Sequence, residues 1–187
     1  MEEKQLELRM YFFVPYNISP IQQGIQAGHA LGRYALRYGR YDDKHIVWDF
    51  LEKWETFIIL NGGTTNNGRD FDSISVGSLN QIADKLLDAD IEFSYFIEPD
   101  LNNALSALCF ICDERVFNKK EYPDFIDWFI SRVENEVIET IRLRTEYLKD
   151  AKNFIETYNE LYKEWVRLIG GVKNAFLREL IQDKKLA

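Results

Sequence analysis

The chain has 187 residues, a formal net charge of −8 and a hydrophobic fraction of 46%. That length allows one domain with a full core plus an extension, and the composition is that of an ordinary folded protein. It holds no run of about 18 apolar residues and so no membrane span, and its acidity argues against general nucleic-acid binding, where affinity rests on neutralising phosphates. The opening residues, Met1 to Leu8, are charged and lack a signal-peptide core, so the chain reads as cytoplasmic. Cys109 and Cys112 lie in an apolar, strand-like run and read as reduced, partly buried thiols. Zinc would need two more ligands, and neither histidine is near them in sequence, so no metal site or cofactor is expected.

Leu8 to Val14 is an apolar strand. After it, Ser19 can cap free backbone N–H groups, Pro20 suits the first helical position and Gln22 completes a Ser-x-x-Gln capping box. A helix is therefore predicted from Ser19 to about Arg37, ending near Gly39. Apolar residues at 46, 47, 50, 51 and 54 give Asp43 to Trp54 a helical spacing. Thr56 to Leu60 is a β-branched and aromatic strand, and Asn61 to Gly68 is a loop by composition. Ser78 caps a helix to about Asp88, followed by a strand from Ile91 to Ile97, a turn from Glu98 to Asn103 and a last strand from Leu105 to Cys112. This β-α-α-β-α-β-β order predicts an α/β domain over residues 1–114, with a four-stranded mixed sheet flanked by helices.

Residues 115–187 read as a C-terminal helical extension. Neither proline nor glycine occurs from Asp124 to Ile169. Leu148, Ala151, Ile155, Tyr158, Tyr162, Trp165 and Ile169 alternate steps of three and four, a coiled-coil-like seam, and Ile126, Ile130, Val133, Val137 and Ile141 form a similar stripe upstream. A straight helix over this span would be roughly 70 Å long, so it breaks, for example near Lys149-Asp150, or packs on another chain. Gly170-Gly171 ends it, and Val172 to Asp183 is a last short helix. Two uses remain open: a hairpin covering its own sheet, or an element that builds a homo-oligomer.

The charge is uneven. Residues 115–187 hold 14 Lys/Arg and 13 Asp/Glu, leaving 9 and 18 of the totals of 23 and 31 for residues 1–114, a net of −9 there. Within that acidic half, Gln26, His29, Arg33 and Arg37 recur at spacings of three and four and share one helix face. An imidazole and two guanidiniums near a helix start suit an anionic ligand. Asn61, Thr64 and Thr65 follow a strand end, where α/β folds place ligand loops, and offer neutral donors and acceptors for a base or sugar. Glu98 and Asp100 could accept protons or hold a ribose hydroxyl, with Asn102 in the same turn. No Ser-His-Asp set, phosphate-binding Gly-x-x-x-x-Gly-Lys loop or metal spacing is present.

The segment Gln22 to Ala30 resembles the opening helix motif of the archaeal and eukaryotic type of peptidyl-tRNA hydrolase, type 2, a Lys-x-x-x-Gln-x-x-His-Ala pattern. Gln26, His29 and Ala30 match it. The turn Glu98 to Asn103, with Leu105 to Leu108 after it, resembles the acidic turn leading into that fold's last strand. The resemblance covers roughly residues 8–114, not the helical extension. It implies Glu98, His29 and Gln26 as catalytic residues, while Gln22, at a position of that motif, and Arg33 and Arg37, on the same helix face, are the candidate ligand contacts of this helix. Gln22 stands where that family has a lysine, and a glutamine supplies no positive charge to an oxyanion or phosphate.

Two functions follow. One is hydrolysis of the ester joining a peptide to tRNA. The alternative is a non-catalytic, homo-oligomeric protein that holds or sequesters a nucleotide or nucleotide-like anion, assembled through its C-terminal helices.

Overall fold

The structure is a computed structural model that describes residues 4–66, 76–132 and 148–187. Two compact units divide the chain: residues 1–114 with 179–187, and residues 115–178. Among the described residues, no helix is long and apolar enough to cross a membrane.

The first unit is an α/β domain. Its four strands are β1 (Leu8–Pro15), β2 (Phe57–Gly63), β3 (Ser94–Glu98) and β4 (Ala104–Asp113). They lie in the order β2-β1-β4-β3, β2 parallel to β1 and the other neighbours antiparallel, so the sheet is mixed. β1 is central and buried at every position except Arg9, as a strand covered on both faces must be. The outer edge of β2 is closed by the chain's last residues: Asn61 N–H donates to Lys185 O at 2.9 Å and Ala187 N–H to Ile59 O at 3.0 Å. Residues 179–187 therefore belong with the sheet, which shortens the extension read over 115–187. No turn or periodicity signal in Lys184-Lys185-Leu186-Ala187 announces this pairing.

Helix α1 (Pro20–Tyr34) forms where the capping signals place it. Ser19 Oγ accepts from Gln22 N–H and Gln22 Oε1 accepts from Ser19 N–H at 3.0 Å, a complete capping box. Its buried positions, Gln23, Gln26, Ala27, Ala30 and Tyr34, repeat at helical spacing and face the sheet. Ser19→Ala is expected to lower stability by about 1 kcal/mol in urea unfolding. The helix does not run on regularly to Arg37: Ala35–Gly39 widen into a π-turn. A Cβ at Gly39 would meet the Trp48 ring at 2.8 Å, while Trp48 Nε1 donates to Gly39 O at 3.2 Å. Helix α2 (Ile46–Asp49) continues into a second π-turn, Phe50–Trp54, which packs Val47 and Phe50 into the core.

Helix α3 (Ser78–Asp88) starts one residue differently from the sequence expectation, because Gly77 is its N-cap. The Ser78 hydroxyl serves the preceding loop instead, donating to Gly62 O and accepting from Thr64 N–H, both at 2.9 Å. β3 begins at Ser94 rather than Ile91, because Asp90 at φ 50 and the Ile91 N–H bond to Leu86 O still belong to the end of α3. Cys109 and Cys112 are free, and burial pushes both thiols up.

The second unit contains α5 (Phe125–Arg132), α6 (Leu148–Leu168) and most of α7 (Val172–Gln182), after a single turn, α4 (Glu114–Phe117), at its boundary. Phe125 packs on Tyr158, Tyr162 and Trp165, with centroids at 5.0, 5.1 and 5.6 Å, while Phe129 packs on Tyr158 at 5.4 Å. The contacts step backward along α6 as α5 advances, so the two run antiparallel. A single straight rod from Asp124 to Ile169 is therefore excluded. The seam residues Tyr158, Tyr162 and Trp165 face aromatic partners in their own unit, and Trp128, Trp165 and Ile169 form its core. Val133, Val137 and Ile141 of the upstream stripe, and the side chains of Leu148 and Ala151, lie outside the described residues. The buried Arg178 guanidinium donates to Arg115 O at 2.7 Å and to Asp124 Oδ1 at 2.5 Å. Burial works against the Asp124 charge, but Lys119 and Arg178 outweigh it and hold the carboxyl below its usual range. That stabilisation is present above the unfolded-state carboxyl value and is lost as pH falls through the lower folded one.

Candidate functional site

The core of the site is a chain of hydrogen bonds joining α1, β4 and the turn after β3. Gln26, 5% exposed, projects from α1 and its Nε2 donates to Glu98 Oε2 at 2.7 Å. The other end of the same amide, Oε1, accepts from the Ser106 hydroxyl of β4 at 2.7 Å. Glu98 ends β3, and its Oε1 accepts from the Asp100 N–H at 3.3 Å, closing the short turn Pro99–Leu101. The Gln26 amide holds the Glu98 carboxyl below the usual carboxylate range against desolvation, with lesser help from the Asp100 N–H and from His29. Glu98 is therefore an ionised, oriented carboxylate at neutral pH.

Two side chains of α1, an imidazole and a guanidinium, meet at one aromatic ring. His29 packs against Phe96 of β3 with centroids 4.4 Å apart, and the Arg33 guanidinium lies 5.1 Å from the centre of the same ring. Both side chains are exposed, and Phe96 is half-buried between β3 and α1. His29 and Arg33 thus share a platform next to Glu98, two residues along β3. Arg37 lies over Tyr38 instead, 5.3 Å from its centroid, beside the Tyr38 hydroxyl that donates to Phe93 O at 3.1 Å.

The remaining sequence-predicted positions make internal structure. Gln22 Oε1 is taken by the capping box. Asn61 Oδ1 accepts from Gly63 N–H at 2.8 Å, and Thr64 Oγ1 accepts from Ser78 N–H at 3.2 Å. Thr65 Oγ1 donates to Leu105 O at 2.5 Å, which fastens the loop after β2 to the residue before Ser106. Asn102 and Asn103 both take the left-handed backbone region, φ 56 and 57, a role for which asparagine is suited. Asp100 contributes its backbone N–H. The part of the loop from Asn67 to Gly68 lies outside the described residues.

Ser106 is the residue that sequence reasoning missed. Its signal was a single hydroxyl inside the apolar run Leu105 to Cys112, in a strand whose neighbours are all hydrophobic. Among the described residues, no cluster of three or more His, Cys, Asp or Glu side chains could hold a metal ion. Compared with protein-family models and with curated proteins, the chain matches none.

Proposed function

We propose that this protein hydrolyses the ester between a peptide and tRNA, as its resemblance to the type 2 peptidyl-tRNA hydrolases implies. The 2.7 Å hydrogen bond between Gln26 and Glu98 carries this reading. It joins the two stretches on which the resemblance rests, which lie 72 residues apart in sequence. In this reading Glu98 accepts a proton from a water that attacks the ester carbonyl. The new bond forms from the water oxygen to the acyl carbon, the bond to the ribose oxygen breaks, and His29 passes a proton to that leaving oxygen. Arg33, beside His29 on the Phe96 ring, faces the phosphates of the tRNA end.

A second reading, a non-turnover binder of a nucleotide-like anion, is favoured by two observations. Gln22 puts no charge at the position of the family's lysine and is engaged in capping α1. A carboxyl held below its usual range is also a weaker base than one poised near neutral pH. One pair of measurements separates the readings. Purified protein incubated with peptidyl-tRNA is expected to release peptide above a buffer blank; no release at high protein concentration overturns the hydrolase. A nucleotide that raises the melting temperature with no product formed supports the binder, through preferential binding to the folded state.

A further inference from the structure

We propose that Ser106 is the positioning residue of this site: a bulge in β4 turns its hydroxyl toward α1, where it fixes the Gln26 amide with Nε2 facing Glu98. The proposal deepens the hydrolase reading and rests on it for its catalytic meaning, though its geometry stands independently.

Along a regular strand, successive side chains point to opposite faces. Ala107 and Cys109 of β4 pack in the core cluster with Ala27 and Ala30 of α1, so regular alternation would send Ser106 to the other face of the sheet. The pairing with β3 breaks at this point. Phe96 pairs with Ala107 and the next residue, Ile97, pairs with Leu105, leaving Ser106 as the extra residue. Bulges of this kind re-aim a side chain, and here the re-aimed hydroxyl reaches Gln26 across 80 residues of sequence. The loop after β2 is fastened at the same bulge through Thr65 and Leu105.

An amide side chain presents two ends of the same shape and opposite polarity. An ionised Glu98 only accepts, so it is satisfied by Nε2 and opposed by Oε1. With Nε2 committed, Oε1 is left inside the protein, where an unpaired acceptor is costly. Ser106, fully buried, supplies the missing donor. Its oxygen also lies 3.2 Å from Phe96 O, the alternative acceptor for its single proton. Removing the hydroxyl takes away the partner that lets the amide stay turned toward the carboxylate. The groups acting on Glu98 are Gln26 and His29 from α1 and the Asp100 N–H of its own turn.

The test reads Glu98 directly, by carbon-13 NMR titration of glutamate side-chain carboxyls, with the Glu98 signal assigned by its loss in Glu98→Gln. Ser106→Ala is expected to move the Glu98 midpoint up by about half a pH unit or more. Gln26→Leu should move it the same way, and Ser106→Thr should return it toward the wild-type value. A purely structural serine would lower the unfolding midpoint and leave the Glu98 titration of the folded protein where it was. That outcome overturns the proposal. If Ser106→Ala does not fold, the comparison passes to Ser106→Thr against Ser106→Val, which differ only in hydroxyl against methyl; equal Glu98 midpoints then overturn it. No substrate is involved, so failure to release peptide leaves this inference standing, and an unmoved midpoint leaves the hydrolase reading standing.

Discussion

Glu98→Gln is expected to slow peptide release from peptidyl-tRNA by about 10²- to 10⁴-fold while leaving the protein folded. The substitution keeps the size of the side chain and an oxygen that can accept from Gln26, and removes the group that takes the proton from water. A single-turnover assay on the two proteins measures it, and a variant within about threefold of wild type would remove Glu98 from the chemistry. The pH dependence has a definite sign. A base must be ionised to work, and the Gln26 amide holds the Glu98 carboxyl below the usual carboxylate range. The Glu98 contribution to the rate should therefore persist to lower pH than that of an ordinary glutamate, and be lost as pH falls through the lowered folded value. The same ordering applies to stability. The contribution of the paired carboxylate is present above the unfolded-state value and disappears as pH drops through the folded one.

The largest effect on stability is expected from Phe12→Ala, a loss of about 3–5 kcal/mol in urea unfolding. Phe12 sits at the middle of the central strand, is fully buried, and packs against Phe57 with ring centroids 5.0 Å apart. It belongs to the cluster formed by Ala27, Ala30 and Tyr34 of α1 with Val47 and Phe50 of the α2 region. Hydrogen-bonded neighbours on both sides keep β1 from collapsing into the space that the ring would leave. The same core holds α1, and with it Gln26, over β4. Loss of the ring should therefore also loosen the Gln26–Glu98 bond and raise the Glu98 carboxyl toward its ordinary value.

Much of the architecture was legible because it rests on local signals. The Ser19-Pro20-Gln22 start of α1, the apolar run of β1 and the order of strands and helices are matters of capping and periodicity that a short window records. The π-turns at Ala35–Gly39 and Phe50–Trp54 were not legible, because they arise where the two segments pack through Gly39 and Trp48. The aromatic seam of Tyr158, Tyr162 and Trp165 was visible as a stripe, but its partner was not. A stripe shows an apolar face without showing what packs on it, and here Phe125 of the same unit packs against its aromatic residues, while Ile155 and Tyr162 stay exposed.

For the site, Gln26, His29 and Arg33 could be placed on one face from spacing alone, since a helix repeats every 3.6 residues. That α1 starts at a capped serine, and that β1 is buried on both sides, follow from the residues themselves, because their physics is complete within a few positions. The juxtaposition of Gln26 with Glu98, the seating of His29 and Arg33 on Phe96, and the turning of Ser106 toward α1 were decided by tertiary structure. Each depends on strand register, the last also on one extra residue in β4, and register is settled only when the sheet and the helix above it pack together.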